Sequence, residues 1–191
     1  MWPPEVRGDL RAGIKAKNQG DLNLSERFLH RALDTALALP LETLSNDPHL
    51  KLSGIAIALA GVLEENGKPQ AAYDVYASAL QRLRAANGLS GRERLRTVGV
   101  AYKLGEMAGM YQQSTEEEER WLVYAVEEML RILRDEQLGS VPSSSATAER
   151  TEVEKQWILS DLELPSWVDK TDVVSPLQAL GAFYNRTGRQ E

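Results

Sequence analysis

The stretch Gly20–Leu33, "GDLNLSERFLHRAL", decides the fold, because Gly67–Leu80, "GKPQAAYDVYASAL", repeats its pattern 47 residues later. In both stretches a small residue lies five positions after the glycine, a larger residue lies nine after it, and Ala-Leu lies twelve and thirteen after it. The matching positions are Ser25 and Ala72, Leu29 and Tyr76, and Ala32-Leu33 and Ala79-Leu80. A small residue, Gly13 or Ala60, also lies seven positions before each glycine. This spacing indicates pairs of helices that are joined by a glycine turn and packed closely through small side chains.

Helix-forming residues dominate the rest of the chain, which predicts an all-α fold. Alternating strand patterns with Asn-Gly turns are absent from the sequence. The expected helices cover about 5–18, 24–38, 49–66, 69–86, 91–110, 115–135 and 149–162, with a last helix from Ser175-Pro176 to about Arg186. Because a two-helix unit cannot bury its apolar face alone, we expect the pairs to stack as a helix–turn–helix solenoid, an α-α superhelix.

Three helix pairs, at about 5–38, 49–87 and 91–135, are expected to account for residues 1–135. The third pair is looser than the others, with Leu104-Gly105 matching the first helix and Leu122 the second. A Ser-rich linker, a short helix and a loop are expected over 136–172. In residues 173–191 the glycine pattern returns at Leu180-Gly181 and Gly188, without a second helix after it. We therefore expect the first helix of an incomplete fourth repeat there, as in a fragment or a truncated gene model of a longer protein, with a natural capping helix as the alternative.

The repeat resembles the tetratricopeptide (TPR) repeat, whose usual length is about 34 residues. Four segments together resemble a fungal family of TPR adaptors of the mitochondrial inner-membrane i-AAA protease. They are "LRAGIKAKNQGDLNLSERFLHRALDTAL" (10–37), "KLSGIAIALAGVLEENGKPQAAYDVYASAL" (51–80), "AYKLGEMA" (101–108) and "SPLQALGAFYNRTG" (175–188). The resemblance implies an adaptor that recruits substrates, with the protease complex and unfolded polypeptides as its protein partners. It also implies the mitochondrial inner membrane as location, with a membrane anchor upstream of Met1.

A general TPR assembly scaffold or co-chaperone is the alternative function, in another compartment such as the cytoplasm. Either protein would bind a peptide in the groove of its helical array. The two differ in compartment and partner, so localisation combined with a pull-down discriminates them.

Composition excludes several classes of partner and site. The chain has a net charge of −6, which argues against nucleic acid as the main partner. It has no cysteine, so disulfides, zinc-thiolate sites and cysteine nucleophiles are excluded. The apolar run Ile55–Leu63 is too short to span a bilayer.

No motif of a phosphate-binding loop or a serine hydrolase occurs, so neither an enzyme nor a cofactor is expected. His30 and His49 lie on different expected helices and lack the spacing of metal ligands, so no metal site is expected. The acidic run "STEEEER" (114–120) could bind a cation, but its place at a helix start favours a solvated, capping role. Within it, Thr115 and Glu118 have the spacing of a capping box.

Candidate binding residues follow from the repeat register, in which the first helices of the pairs line a groove. They are Arg7, Arg11, Ile14, Lys17, Asn18, Ile57, Ala58, Gly61, Tyr102, Lys103 and Glu106. These residues predict a groove with a basic mouth, an apolar floor and a mixed far end, suited to an extended or helical peptide. A chaperone-type carboxylate clamp is not expected, because Leu10, Ile14 and Ala58 occupy positions that a clamp fills with Lys or Asn.

Two tryptophans, Trp157 and Trp167, lie near "LELP" in the least regular part of the chain. Aromatic side chains in such a loop could anchor a partner, as interface hot spots often do. They could equally pin the loop onto the helical array, and we favour pinning.

Overall fold

A computed structural model describes residues 2–111, 114–140 and 164–188, with the side chains of 137–140 excepted. This part of the chain contains seven α-helices and a short 3-10 turn at Leu41–Leu44. The helices are α1 (Pro4–Asn18), α2 (Leu22–Ala38), α3 (Pro48–Glu65), α4 (Pro69–Ala85), α5 (Gly91–Met110), α6 (Thr115–Ser140) and α7 (Lys170–Thr187). No strand occurs in the described ranges, and the predicted all-α class is confirmed. None of these helices is both long and apolar enough to cross a bilayer.

The helices pack in the order of the sequence, and the array resembles a stack of helix pairs. Each helix contacts the next, and α5 also contacts α3 and α7. An ion pair, 2.8 Å long, also joins Lys17 of α1 to Glu65 of α3. The surface formed by α1, α3, α5 and α7 is called the odd-helix face below. One continuous apolar core runs from Val6 of α1 to Val173 of α7.

The turns between paired helices use glycine for a backbone reason. Gly20 and Gly67 have φ values of 81° and 70°, a left-handed conformation that glycine adopts without a steric penalty. The next residue then closes each helix, since the N–H groups of Asp21 and Lys68 donate to the carbonyls of Ala16 and Leu63 at 3.0 and 2.8 Å. Gly188 ends α7 in the same conformation, with φ 70°. The glycines on which the repeat was aligned therefore have one structural role.

Small residues let the two helices of a pair approach closely. A Cβ placed on Gly13 would lie 2.8 Å from Leu29 Cγ, and one on Gly105 would lie 2.8 Å from Leu122 Cγ. In the first pair, the Ser25 hydroxyl donates to the Gly13 carbonyl at 2.8 Å. The first and third pairs thus share one inter-helix contact, although their sequences match only loosely.

The start of α7 differs from the prediction. The helix begins at Lys170, so Pro176 lies inside it and is buried, rather than in its first turn. Asp169 precedes the helix and fixes the earlier start, because its N–H donates to Asp172 Oδ2 at 3.0 Å and its carbonyl accepts from the Asp172 N–H. Pro176 removes one N–H from the second turn, a loss that the helix tolerates here.

The predicted bounds and cap of α6 also change. The helix continues to Ser140, past Asp135, so Gly139 and Ser140 of the expected linker are helical. Ser114, rather than a Thr115–Glu118 capping box, caps its start, because Ser114 Oγ accepts from the Glu117 N–H at 3.1 Å. The expected helix 149–162 lies outside the described residues.

Two carboxylates of the acidic run are structural, which corrects its interpretation as a solvated capping face. Glu118 is buried, and both of its oxygens accept from Arg186 Nη2 of α7, at 2.7 and 2.8 Å. Gly109 leaves room for that carboxylate, since a Cβ there would lie 2.7 Å from Glu118 Oε1. Glu117 accepts from the hydroxyl of Tyr73 at 2.8 Å. The run therefore connects α6 to α7 and to α4.

Tyr73 joins α4 to α6 inside the array. Its hydroxyl accepts from Trp121 Nε1 at 2.7 Å while it donates to Glu117. Burial, with Glu117 alongside, raises the pKa of Tyr73 to about 12. The phenol therefore stays protonated at neutral pH, and the buried indole N–H keeps its acceptor.

Candidate functional site

A cavity of about 560 Å³ opens on the odd-helix face between α3, α5 and the segment that leads into α7. We call it the central pocket. Its apolar wall consists of Leu50, Ile57, Leu95, Val100 and Trp167, and its polar groups belong to Tyr76, Arg92, Arg96, Lys103 and Asp172. The volume falls in the range of natural ligand pockets, about 300–1,000 Å³.

One stripe of α5 supplies most of the positive charge. Arg92, Arg96, Gly99 and Lys103 recur at intervals of four, three and four residues, and all four line the central pocket. Lys103 Nζ pairs with Glu64 Oε2 at 3.0 Å. Arg92 is exposed and Arg96 half-buried, and neither forms an ion pair with a side chain that the structure describes. Two guanidinium groups at this edge thus lack an ion-pair partner among the described side chains.

At the Lys103 end of the pocket, the polar side chains bond to one another. Tyr76, which is buried, donates its hydroxyl to Glu64 Oε1 at 3.1 Å, and the second oxygen of Glu64 pairs with Lys103. Burial raises the pKa of Tyr76, and the neighbouring carboxylate raises it further. Outside the pocket lining, Tyr102 donates to Glu106 at 2.9 Å, and burial raises the pKa of Tyr102 as well. Since these groups already satisfy one another, this end is less available to a charged ligand.

Trp167 forms a wall of the central pocket against the start of α5. A Cβ on Gly91 would lie 2.6 Å from Trp167 Cζ2 and 2.7 Å from Cη2, so the indole lies directly on the glycine. Val168, the next residue, is buried. The loop before α7 is thereby pinned onto the array, as the sequence analysis favoured, while Trp167 still lines the cavity. Trp157 lies outside the described residues.

Gly91→Ala is expected to displace Trp167, because the added methyl group and the indole cannot occupy the same space. We expect a red shift of the Trp167 emission, measured as the difference between each protein and its Trp167→Phe derivative. Gly99→Ala on the same helix is the control, since a Cβ there has no atom within 4 Å. An unchanged difference spectrum in Gly91→Ala would show that the indole does not lie on Gly91.

A second hollow of about 300 Å³ lies on α1 and is called the N-terminal hollow. Its lining residues are Trp2, Arg7, Leu10, Arg11 and Ile14. Arg7 Nη2 donates to the Trp2 carbonyl at 2.8 Å and holds the tryptophan over the helix. Ile14 is 47% exposed, so this end of the odd-helix face is both apolar and basic.

Six of the predicted binding residues line these hollows. Ile57, Lys103 and Trp167 line the central pocket, and Arg7, Arg11 and Ile14 line the N-terminal hollow. Lys17 lines neither hollow; it pairs with Glu65 of α3, and its Nζ lies 4.0 Å from the place of a Cβ on Gly61. The remaining predicted residues line neither hollow: Asn18, Ala58, Gly61, Tyr102 and Glu106.

The sequence analysis missed Arg92 and Arg96, although a signal for both was present. They precede the predicted Lys103 by eleven and seven residues, which places all three on one stripe of a helix. Extending the groove register toward the start of α5 would have found them. Leu50 and Leu95 of the apolar wall were missed as well.

The described residues offer no group of three His, Cys, Asp or Glu side chains that could hold a metal ion. His30 is exposed on α2, and the backbone N–H of His49 donates to Glu93 Oε1 at 3.0 Å. Glu118 and Glu117 in the first turn of α6 pair with Arg186 and Arg120.

No model of a protein family, no curated protein and no solved structure matches the chain. The TPR resemblance therefore stays a prediction. What the chain can bind has to be inferred from the geometry of the odd-helix face.

Proposed function

We propose that the chain is a non-enzymatic protein-interaction module that binds a peptide segment of its partner in the central pocket. The observation that supports the proposal is the combination of an apolar wall with two arginines that lack ion-pair partners among the described side chains. Typical ligand pockets combine an apolar lining with polar groups that set the orientation of the ligand. The helix pairs are then TPR-type units, whose first helices present the ligand surface.

In the cell, we assign this module to a substrate-recruiting adaptor of a mitochondrial membrane AAA protease. The assignment rests on the family resemblance of the repeat segments. It predicts that the full-length protein localises to mitochondria and co-purifies with the protease. A cytosolic location with no protease in the pull-down would contradict the adaptor role and leave a general assembly scaffold or co-chaperone.

Peptide binding is tested with a displayed library of random 12-residue peptides, followed by fluorescence anisotropy of the selected sequences. Ile57 lines the pocket, so Ile57→Glu places a charge against the apolar wall. We expect the selected peptides to bind Ile57→Glu about tenfold or more weakly, as for loss of an interface hot spot.

Leu130→Glu is the matched control, because Leu130 is 51% exposed on α6, outside the odd-helix face. Its affinity is expected to equal that of the unaltered chain. Failure to select any peptide, or affinity that falls in Leu130→Glu and not in Ile57→Glu, would contradict the proposed function.

A further inference from the structure

We infer that the segment bound in the central pocket is acidic: two carboxylates pair with Arg92 and Arg96, and a bulky apolar side chain packs on the wall of Ile57, Leu95 and Trp167. The inference rests on the proposed function and adds the chemistry of the partner to it. It follows from the charges of one helix, from their distribution over its faces, and from the spacing of the two guanidinium groups.

The local charge of the pocket is opposite to that of the chain. The whole protein carries −6, yet the titratable side chains at the pocket are Arg92, Arg96 and Lys103 against Asp172, with Tyr76 neutral. Glu64 pairs with Lys103. Asp172 Oδ2 accepts from the Asp169 N–H at 3.0 Å and forms no ion pair with a described cation. Arg92 and Arg96 thus form a basic site on an acidic protein, which attracts anionic segments over distances near a Debye length, about 8–10 Å.

Arg94, which lies between Arg92 and Arg96 in sequence, is an arginine with a structural role and offers a comparison. It points to the other side of α5, where its guanidinium pairs with Glu128 at 2.9 Å and Asp135 at 2.8 Å. The chain therefore provides two carboxylates to Arg94 on α6 and none, among its described residues, to Arg92 or Arg96. A partner that supplies carboxylates to these two residues would form the same type of arginine–carboxylate ion pair on the odd-helix face.

The spacing fits a peptide. Arg92 and Arg96 are one helical turn apart, which separates their Cβ atoms by about 6 Å. In an extended peptide, side chains two residues apart point the same way and lie about 6.6 Å apart. Each guanidinium group can hold a carboxylate in a planar, two-point contact. The predicted pattern is therefore acid-x-acid next to a Leu, Phe or Trp that occupies the apolar wall.

The experiment uses the same displayed library, selected on the full chain and on two double variants. Arg92→Ala/Arg96→Ala removes the proposed site. Arg27→Ala/Arg82→Ala is the matched control, since it removes the same charge from exposed positions on α2 and α4. We expect selection of acid-x-acid peptides with a bulky apolar residue. These peptides are expected to lose about tenfold or more in affinity for Arg92→Ala/Arg96→Ala and to keep it for the control.

The outcomes separate this inference from the proposed function. Neutral or basic peptides that lose affinity in Ile57→Glu would leave the pocket as a peptide site and overturn its acidic preference. No selected peptide at all would overturn both. Equal affinity of the selected peptide and its Glu-to-Gln counterpart would also overturn the inference. So would a single-stranded dT12 oligonucleotide that binds as tightly as the peptide and with the same dependence on Arg92 and Arg96, because the ligand would then be any polyanion.

Discussion

Gly105→Ala is expected to destabilise the protein, whereas Gly181→Ala, at the matching position of α7, is expected to stabilise it. A Cβ on Gly105 would lie 2.6 Å from Leu122 Cδ2 and 2.8 Å from Cγ, so the Leu122 side chain or the spacing of α5 and α6 would have to shift. Overpacking of this kind costs about 1–3 kcal/mol. A Cβ on Gly181 has no atom within 4 Å. There the substitution acts only on helix propensity, which favours alanine over glycine by about 1 kcal/mol.

The free energy of unfolding is measured by urea denaturation followed by circular dichroism. Gly13→Ala extends the test to the first pair, where the added Cβ would lie 2.8 Å from Leu29 Cγ and 3.3 Å from the Leu29 backbone nitrogen. We expect both inter-helix variants to unfold at lower urea concentration than the unaltered chain. Equal effects of Gly105→Ala and Gly181→Ala would show that α5 and α6 do not meet at this glycine.

Glu93→Ala is expected to produce the second large loss of stability, because one buried carboxylate caps two helices. Glu93 is 4% exposed; its Oε2 accepts from the Ser90 N–H at 2.9 Å and its Oε1 from the His49 N–H at 3.0 Å. The first bond belongs to the capping box of α5 and the second to the first turn of α3. Removing the carboxylate leaves two donors without their acceptor, at about 1–3 kcal/mol each.

Glu106→Ala is the control for Glu93→Ala, as it removes an exposed carboxylate from the same helix. Among described groups, Glu106 accepts only from the Tyr102 hydroxyl, so we expect a change within about 0.5 kcal/mol. Urea midpoints of the two variants give the comparison directly. If Glu93→Ala were no less stable than Glu106→Ala, the carboxylate would not join α3 to α5.

The helix pairs were predictable because their signals are local. A turn glycine needs a positive φ, a small residue needs a close neighbour, and both leave a fixed spacing in the sequence. Gly20, Gly67 and Gly188 all adopt the left-handed conformation that the alignment implied. Gly13 and Gly105 were matched by sequence alone, and both lie against a leucine of the following helix.

The errors in the prediction have non-local causes. Proline favours the first turn of a helix, so Pro176 predicts a helix start, but the hydrogen bonds between Asp169 and Asp172 begin the helix at Lys170, about one and a half turns earlier. Sequence alone predicts a solvated, capping role for Glu118, because its partner, Arg186, lies 68 residues away. A pairing over that distance leaves no periodic signal in a single sequence.

Part of the site was predictable because the repeat spacing that identifies it is also a local signal. Register placed Ile57 and Lys103 on the odd-helix face, and both line the central pocket. It could not show that Glu64 neutralises Lys103, or that Trp167 closes the pocket against Gly91. Sequence alone therefore could not show that Arg92 and Arg96 lack ion-pair partners among the described side chains, because this depends on the ion pairs of their neighbours.

An NMR titration shows whether a partner peptide lies in the central pocket. The ¹⁵N-labelled chain is titrated with a peptide selected from the library, and Trp167→Phe identifies the indole signal of Trp167. We expect the largest chemical-shift changes at this indole and at the amides of α5 from Arg92 to Lys103. Largest changes on α2, α4 or α6, with the Trp167 indole unmoved, would contradict this expectation.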